Sequence, residues 1–467
     1  MDYAKFDSLF HPSSIAMVGM TDDPNGALMM EILLGEGFKG QVYPVNLRGG
    51  KVLGIDAYTS IKDIPDPVDY AFLRVPAKAA IQVIKDCAAK GVKLAALFSG
   101  GFGEGEEAGD NELKQNLLNI AHQGGVRLLG PNCIGFYCPA ARVAFCTRSP
   151  KETGPVGVLC QSGGNSVQFL RSATRNGIRF SKIISYGNAA DINETDLLEY
   201  FAHDPETRVI IAYIEGIKNG RRFFQALKTA SHAKPVIMLK GGQSEAGAAA
   251  ALSHTGSLAG TKQVWDSLFK QVGAIQAYSI DECLDIASAL LLIKHPASRK
   301  VAIMGFGGGT AVLAADDCYR AGLLLPPLPE TIKNELKKFM PVTGNIFTNP
   351  VDFNLLYIHP EKVAQAVKVV GSWSGIDLLI LHLKVESTHA TLIEQGLLEP
   401  LAEAFIGAAK QVDKPVALVV HAIHSAESYQ GFLKVQQMCL EAGIPCYLSI
   451  QHTLNAIDKL VKYYETR

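Results

Sequence analysis

The chain has 467 residues, 48% of them hydrophobic and 19% charged, which excludes a disordered protein. Its 44 Lys and Arg residues balance 45 Asp and Glu, and a net charge of −1 gives no basic surface for nucleic acid or an anionic membrane. Nine cysteines without a CxxC pair, no apolar run near the ~18 residues that span a bilayer and no visible signal peptide predict a cytoplasmic protein with reduced thiols.

The chain contains three apolar segments that end in glycines, at residues 14–20, 155–166 and 300–310. Each is predicted to be the first strand of a parallel α/β unit, with glycines where the chain turns into the first helix. A prior of about 150 residues per domain then predicts three domains. Their predicted bounds are 1–150, 151–296 and 297–467, with linkers at 148–155 and 293–300.

Strands and helices are predicted to alternate in each domain. The first has strands at 14–20, 41–46, 68–76, 94–102 and 126–133 and helices at 78–91 and 111–125, which is a Rossmann-type order. Further strands are predicted at 180–187, 209–216 and 234–242, and at 376–383, 414–420 and 444–449. The fold class is therefore predicted to be α/β with parallel sheets.

Strand ends in the first domain have the chemistry of a phosphate-bearing ligand site, because parallel sheets bind ligands at their carboxyl edge. Gly19 and Gly26 would allow a phosphate to approach the backbone. GxGxxG is absent, and Asn46 stands where a dinucleotide fold places an acidic residue, which disfavours NAD. The alternative is that these glycines only make tight turns.

The second domain carries a sharper pattern. Ser162, Gly163 and Gly164 in "QSGGN" are predicted at a helix N-terminus, where free N–H groups and the helix dipole suit a phosphoryl group. Glu215 in "YIEG" is predicted at a strand end, from which a carboxylate could orient an imidazole. An ordinary strand-end salt bridge is the alternative for Glu215.

His254 lies in "ALSHTGSLAG", between predicted helices that end near residue 252 and begin near 261. We expect it on a loop, where its imidazole could attack a phosphoryl group that then rests against Ser162, Gly163 and Gly164. A structural or merely exposed histidine is the alternative. Together these residues make a candidate phosphohistidine site.

These motifs resemble the α subunits of ADP-forming acyl-CoA synthetases, typified by ADP-forming acetyl-CoA synthetase, and more distantly the α subunit of succinyl-CoA synthetase. Residues 244–260, "GPNC" at 130–133, "YIEG" and "NPVD" at 349–352 carry the resemblance, which covers essentially the whole chain. It implies a Rossmann-type CoA-binding domain followed by two flavodoxin-like ligase domains.

The resemblance also implies roles. His254 would be phosphorylated, Glu215 would be its partner, and residues 162–164 would hold phosphate. The implied reaction converts acyl-CoA, ADP and phosphate to acid, CoA and ATP through an acyl phosphate. The implied CoA contacts are Gly19, Met20, Thr21, Pro44, Val45, Asn46, Val75, Pro76, Ser99, Gly100, Gly101 and Asn132.

No nucleotide-binding ATP-grasp domain is recognisable in the sequence. The resemblance therefore implies a separate ATP-grasp β subunit in an α2β2 heterotetramer, which would supply the ADP/ATP and Mg²⁺ sites. No metal site is expected in this chain, since His421 and His424 have no Cys or carboxylate near them to complete one.

Other interpretations stay open. A non-catalytic CoA-binding sensor or scaffold, or a CoA transferase, would fit the same fold. "NPVD" fits a cap and turn, Cys133 fits a small buried thiol, and Trp265 and Trp373 fit packing residues. The acyl group, the direction of reaction and the choice of ADP or GDP are not specified by the sequence.

Overall fold

The computed structural model of the chain describes residues 2–102, 108–175, 177–255, 260–305, 307–352, 356, 358–385, 392–421 and 425–467. Contacts divide it into two compact units, Met1–Thr174 with Ile178–Cys283 and Arg175–Gly177 with Leu284–Arg467. The first unit contains two large, mainly parallel sheets and the small antiparallel pair β3-β4, and the second unit contains one large, mainly parallel sheet, so the predicted α/β class is confirmed. The predicted three-domain boundaries stay a prediction.

The first sheet is wholly parallel, with strand order β2-β1-β5-β6-β7. The chain reverses its direction of travel across the sheet at β1, as in doubly wound folds, and this reversal opens a crevice at the carboxyl edge. The strands of this part are β1 (Ser14–Val18), β2 (Gln41–Val45), β3 (Lys51–Val52), β4 (Ile55–Asp56), β5 (Tyr70–Leu73), β6 (Leu94–Leu97), β7 (Arg127–Leu129) and β8 (Phe136–Tyr137). The helices are α1 (Tyr3–Asp7), α2 (Pro24–Gly35), α3 (Ala77–Lys90) and α4 (Ala108–Gln123).

The second sheet has the order β13-β12-β11-β9-β10-β8. Its strands are β9 (Val156–Cys160), β10 (Phe180–Ser185), β11 (Val209–Ile214), β12 (Val236–Lys240) and β13 (Ile275–Ala277). The helices are α5 (Gly163–Arg175), α6 (Glu194–His203), α7 (Gly220–Ala233), α8 (Glu245–Thr255), α9 (Lys262–Val272) and α10 (Ile280–Leu292). Only β8 runs antiparallel among these described strands, and it pairs with β10, a pairing that the sequence pattern did not predict.

The third sheet has the order β15-β16-β14-β17-β18-β19, with β15 antiparallel. Its strands are β14 (Val301–Gly305), β15 (Ile346–Phe347), β16 (Val351–Asp352), β17 (Leu378–Lys384), β18 (Val416–His421) and β19 (Cys446–Tyr447). The helices are α11 (Gly308–Arg320), α12 (Glu330–Lys337), α13 (Pro360–Gly371), α14 (Leu398–Ala409), α15 (Ala426–Glu441) and α16 (Ile450–Glu465).

In each large sheet, the first of the parallel strands along the chain is buried at every position, namely β1, β9 and β14. That burial explains their continuous β-branched and apolar runs, because helices cover both faces of a parallel sheet. The helices present one apolar stripe to the sheet. In α7 the buried stripe includes Phe223, Ala226, Leu227 and Ala230, at helical spacing.

The structure supports three interpretations of residues as structural rather than chemical. Trp265 packs between Phe223 and Phe269, with ring centroids 5.8 and 5.6 Å away. Burial raises the pKa of Cys133 to about 12, so this thiol stays protonated and inert. The Asn349 amide accepts from the Ile303 N–H at 3.1 Å and donates to the Val301 carbonyl at 2.8 Å, which fits the structural interpretation of "NPVD".

Candidate active site

The predicted CoA positions converge at the carboxyl edge of the first sheet. The Gly19 N–H, just after β1, donates to the Val45 carbonyl at the end of β2, at 2.8 Å. A Cβ atom on Gly19 would lie 2.2 Å from the Arg74 carbonyl oxygen, so this close approach of β1 to β5 requires glycine. The Asn132 N–H donates to the Ser99 carbonyl at 3.2 Å, which adds the "GPNC" loop to the same edge.

The predicted CoA positions differ in accessibility. Met20 is fully buried, at 0% exposure, so any ligand contact there would be through its backbone. Pro44 and Val45 are also buried within β2. The remaining positions are half-buried or exposed, namely Gly19, Thr21, Asn46, Val75, Pro76, Ser99, Gly100, Gly101 and Asn132. These contacts stay predictions.

The first turn of α2 is already filled by an internal carboxylate. Asp23 accepts from the N–H groups of Asn25 and Gly26 at 3.2 and 2.9 Å, and the Thr21 hydroxyl donates to it at 2.5 Å. A Cβ on Gly26 would meet the Thr21 hydroxyl oxygen at 1.8 Å. The expectation that Gly26 admits a phosphate is therefore wrong, because this glycine makes room for Thr21.

The "GPNC" loop lies against the second sheet of the same unit. A Cβ on Gly187 would come within 2.2 Å of the Pro131 carbonyl, and the Asn188 N–H donates to that carbonyl at 2.9 Å. The Tyr186 N–H in turn donates to the Cys160 carbonyl at the end of β9, at 3.0 Å. The loop that bears Asn132 is thus joined to the strand end that leads to Ser162.

The start of α5 is an open helix N-terminus. Ser162 Oγ accepts from the Asn165 N–H at 3.3 Å, which makes Ser162 the N-cap. A Cβ on Gly164 would meet only Ser162 Oγ, at 3.9 Å, among the atoms described around it, so there is room above this turn. The first N–H groups of a helix have no acceptor within the helix, and with the positive end of the helix dipole they favour an anion at such a start.

Glu215 lies beside that helix start. It follows β11 directly and is buried, at 6% exposure. Its side chain accepts from the Tyr213 hydroxyl at 3.1 Å. Gln161, the residue before Ser162, accepts from the Glu215 N–H at 2.7 Å and thereby ties the two strand ends together. The structure therefore brings Glu215 and residues 162–164 to one place, as predicted from the sequence.

Lys240 is a buried cation at this site that the sequence interpretation did not single out. Its ammonium donates to the Glu215 carbonyl at 2.6 Å and to the Gly241 carbonyl, and lies 5.1 Å from the centroid of the Trp265 ring. Burial lowers the pKa of Lys240 to about 8, although Glu215 opposes this shift. The sequence does contain a feature that could have identified it, because Lys240 is a charged residue at the end of the otherwise apolar strand β12.

The backbone of His254 lies in the last turn of α8, which continues to Thr255. The predicted loop position is therefore wrong, because the alanine-rich segment keeps its helical propensity past residue 252. The side chain of His254 lies outside the described part of the structure. The structure does place the helix that carries it, α8, which follows Gly241 and Gly242 after β12, the strand that ends at Lys240.

Among the described residues, no three His, Cys, Asp or Glu side chains come together in a group that could hold a metal ion. His424 of the "HAIH" segment is not within the described ranges. In the same part of the chain, every helix is too short or too polar to cross a membrane.

Two family models match the chain in the predicted order. Residues 13–139 match the CoA binding domain, and residues 153–290 match the succinyl-CoA ligase like flavodoxin domain. The first range contains every predicted CoA contact, and the second contains Ser162, Glu215 and His254. The predicted fold class is confirmed for a CoA-binding domain followed by a flavodoxin-like ligase domain.

Similar proteins extend this match to the full chain. The α subunit of acetate–CoA ligase [ADP-forming] I from Pyrococcus furiosus is 36% identical over 98% of this chain and 97% of its own. Acetate–CoA ligase [ADP-forming] I from Archaeoglobus fulgidus is 38% identical over 80% of this chain, which covers 54% of that longer protein. A solved structure of dinucleotide forming acetyl-coenzyme A synthetase 1 from Ca. Korarchaeum cryptofilum, in complex with phosphate and ADP, superposes with a TM-score of 0.83 at 32% identity, covering 98% and 97% of the two chains.

Proposed function

Because the chain belongs to the family of the α subunits of ADP-forming acetate–CoA ligases, we propose that it converts acyl-CoA, ADP and phosphate to acid, CoA and ATP, together with a nucleotide-binding partner. The observation that carries this proposal is the Gln161 bridge, which sets buried Glu215 beside the open start of α5. An anion-binding helix start and an orienting carboxylate are the two groups that a phosphohistidine reaction needs beside each other.

In the first step, phosphate rests on the N–H groups that open α5, beside Ser162. One phosphate oxygen attacks the thioester carbonyl carbon. A C–O bond forms, the C–S bond breaks, and CoA leaves as the thiolate, which takes up a proton. Cys133 takes no part, since burial keeps its thiol protonated. The product of this step is an acyl phosphate.

In the second step, neutral His254 attacks phosphorus. The P–N bond forms as the P–O bond to the acyl group breaks, and the carboxylic acid leaves as its anion. Glu215 accepts a hydrogen bond from the other imidazole nitrogen, which fixes the tautomer and stabilises the positive charge that develops. The start of α5 binds the phosphoryl oxygens throughout, so their charge stays neutralised.

The phosphoryl group then passes from His254 to ADP on the partner. We propose that the partner is an ATP-grasp β subunit in an α2β2 assembly, with Mg²⁺ bound by that subunit. The longer Archaeoglobus fulgidus relative, of which this chain covers 54%, supports a second set of domains in the working enzyme. Nine free cysteines, eight of them buried, fit a reducing cytoplasm, where we place the enzyme.

The test combines the chain with its partner subunit, acyl-CoA and radiolabelled phosphate. We expect an acid-labile, base-stable label in the wild type and none in His254→Ala, with CoA binding retained. His232→Ala, an exposed histidine on α7, is the matched control and should label normally. Normal ATP formation by His254→Ala would contradict the proposal.

Two other functions make different predictions in the same assay. A CoA-binding scaffold would bind CoA and take up no label. A CoA transferase would exchange acyl groups at full rate without phosphate.

A further inference from the structure

Lys240 contacts both ends of the segment that carries His254, and the proposed reaction gives it no role. The segment leaves β12 at Gly241, where the Lys240 ammonium donates to the Gly241 carbonyl. At the other end the chain enters α9, and the ring centroid of Trp265 on that helix lies 5.1 Å from the same ammonium. One cation therefore joins the residue that begins the segment to the helix that follows it.

The far end of the segment packs directly on the Trp265 ring. A Cβ on Gly260 would lie 3.0 Å from Trp265 Nε1, and the φ of Gly260 is +70°, so this approach requires glycine. The ring itself is fixed in the core between Phe223 and Phe269. Gly260 is therefore held in place by the same ring that the Lys240 ammonium contacts.

The same ammonium also holds the backbone of Glu215. It donates to the Glu215 carbonyl at 2.6 Å, while the Glu215 N–H donates to Gln161. A lysine ammonium has three N–H donors and no acceptor, so it can bind several carbonyls and an aromatic face at once. Lys240 thus ties the end of β11, the end of β12 and the start of α9 together.

The charge of Lys240 comes at a cost to the stability of the fold. The residue is 4% exposed, and burial lowers its pKa to about 8, so the ammonium is still charged at neutral pH. Methionine has a similar length and would fill the space without the desolvation cost of a cation. What a cation adds at this place is a set of directed contacts to the Glu215 and Gly241 carbonyls and to the Trp265 ring.

We propose that Lys240 is a positioning residue, whose ammonium anchors both ends of the His254 segment against the backbone of the glutamate that orients the imidazole. The inference rests on the proposed function and adds a residue to it. Lys240 touches neither the phosphoryl group nor CoA in this account. It acts through Glu215, Gly241 and Trp265, so its loss should slow the transfer to His254 and leave the binding of phosphate unchanged.

The first test measures the phosphorylation of His254 in the complete complex while the phosphate concentration is varied. In Lys240→Met the maximal rate should fall by about 10–100-fold, the effect of a small misplacement of reacting groups, with the KM for phosphate unchanged. Lys240→Arg should recover most of the rate, because a guanidinium also donates to carbonyls and stacks on an aromatic ring. Lys270→Met, which changes an exposed lysine on α9, is the control and should keep the wild-type rate.

Three results of this test would overturn the role of Lys240. They are a wild-type rate in Lys240→Met, equal rates in Lys240→Met and Lys240→Arg, and a rise in the KM for phosphate in place of a fall in the maximal rate.

Gly260→Ala tests the far end of the segment and leaves Lys240 in place. The added methyl group would meet the Trp265 ring and should slow phosphorylation of His254 in the same way. Gly273→Ala is the matched control, because Gly273 has a φ of +71° and no described atom lies within 4 Å of an added Cβ. Equal phosphorylation rates in the two variants would contradict an anchor at Trp265.

Hydrogen exchange separates failure of the anchor from failure of the reaction. In the complete complex without substrates, the amides of α8 should exchange faster in Lys240→Met than in wild type and in Lys270→Met. Equal exchange in the three proteins would overturn the anchor. Absence of any label on His254 in wild type, with the difference in exchange intact, would overturn the proposed reaction and keep the anchor.

Discussion

Two strand-to-helix turns, one after β9 and one after β14, share one construction and hold different groups. Each follows a fully buried parallel strand, passes through glycines and opens a helix of 13 residues. After β14, buried Asp352 accepts from the Gly307 N–H at the start of α11, at 3.0 Å. After β9, the described hydrogen bonds give the start of α5 a neutral hydroxyl from Ser162 instead.

This difference separates a turn that stabilises the fold from a turn that can bind a ligand. A carboxylate neutralises the positive end of a helix dipole, so α11 has no further need of an anion at that position. The start of α2 is filled in the same way by Asp23. Among the described contacts of these three glycine-bearing turns, the side chain that accepts at the α5 turn is neutral, whereas those at the α2 and α11 turns are carboxylates. Glu215 lies beside the α5 turn.

A carboxylate at the start of α5 should have the largest effect, because it gives this turn the same charged group as the turn after β14. Ser162→Asp should still cap the helix, because Asp is as good an N-cap as Ser. Its charge should repel phosphate and lower kcat/KM for phosphate about 100-fold, comparable to loss of a preorganised anion-stabilising donor. Gln168→Asp adds the same charge to an exposed position further along α5 and should stay near the wild-type value.

Glu215→Gln should have the next largest effect. The amide keeps the shape of the side chain but removes the charge that orients and stabilises the imidazole. We expect phosphorylation of His254 to slow by about 10–100-fold, as for other carboxylates that orient a functional histidine. Rapid-quench measurement of the phosphoprotein checks this, with exposed Glu31→Gln as control. Equal rates in the two variants would remove Glu215 from the mechanism.

Removing the carboxylate from the turn after β14 should lower the stability of the fold and leave catalysis unchanged. Asp352→Ala removes the carboxylate that accepts from the Gly307 N–H, and the free energy of unfolding should fall by about 1 kcal/mol, the usual net value of a hydrogen bond. The KM for phosphate should stay unchanged. Urea denaturation and steady-state kinetics measure the two quantities. A rise in that KM as large as the one in Ser162→Asp would show that the two turns are not different in kind.

A second effect on stability concerns pH and Lys240. Burial lowers the pKa of Lys240 from 10.5 to about 8. Between those values the unfolded chain binds more protons at this residue, so its contribution to the free energy of unfolding should rise with pH. Below pH 8 the lysine is charged in both states and its full burial cost is present. The stability difference between wild type and Lys240→Met should therefore shift in favour of wild type from pH 8 to 10.5, and a flat difference would contradict the shifted pKa.

Sequence patterns predicted the strands that position the site because their apolar runs reflect burial on both faces. Gly-rich turns and the strand-end Glu215 were also visible, since their residue types are unusual where they occur. Gly26 was misinterpreted because a glycine that admits a ligand and one that admits Thr21 look alike in sequence. The end of α8 was missed because a run of alanines does not mark where a helix stops.

Other features depend on tertiary structure. Gln161 contacts Glu215 because β9 and β11 are adjacent and in register, which spacing along the chain does not reveal. Lys240 acquires its lowered pKa from burial, which arises only when the sheet and helices pack. The contact of Asp352 also depends on tertiary structure, because its partner lies on another strand-to-helix turn.

The affinity of the chain for inorganic phosphate tests the central comparison most directly. It can be measured by ³¹P NMR titration of wild type, Ser162→Asp and Gln168→Asp. We predict that wild type and Gln168→Asp bind phosphate with the same affinity and that Ser162→Asp binds at least about tenfold more weakly, because its carboxylate repels the anion at the helix start. Unchanged phosphate affinity in Ser162→Asp would contradict the account.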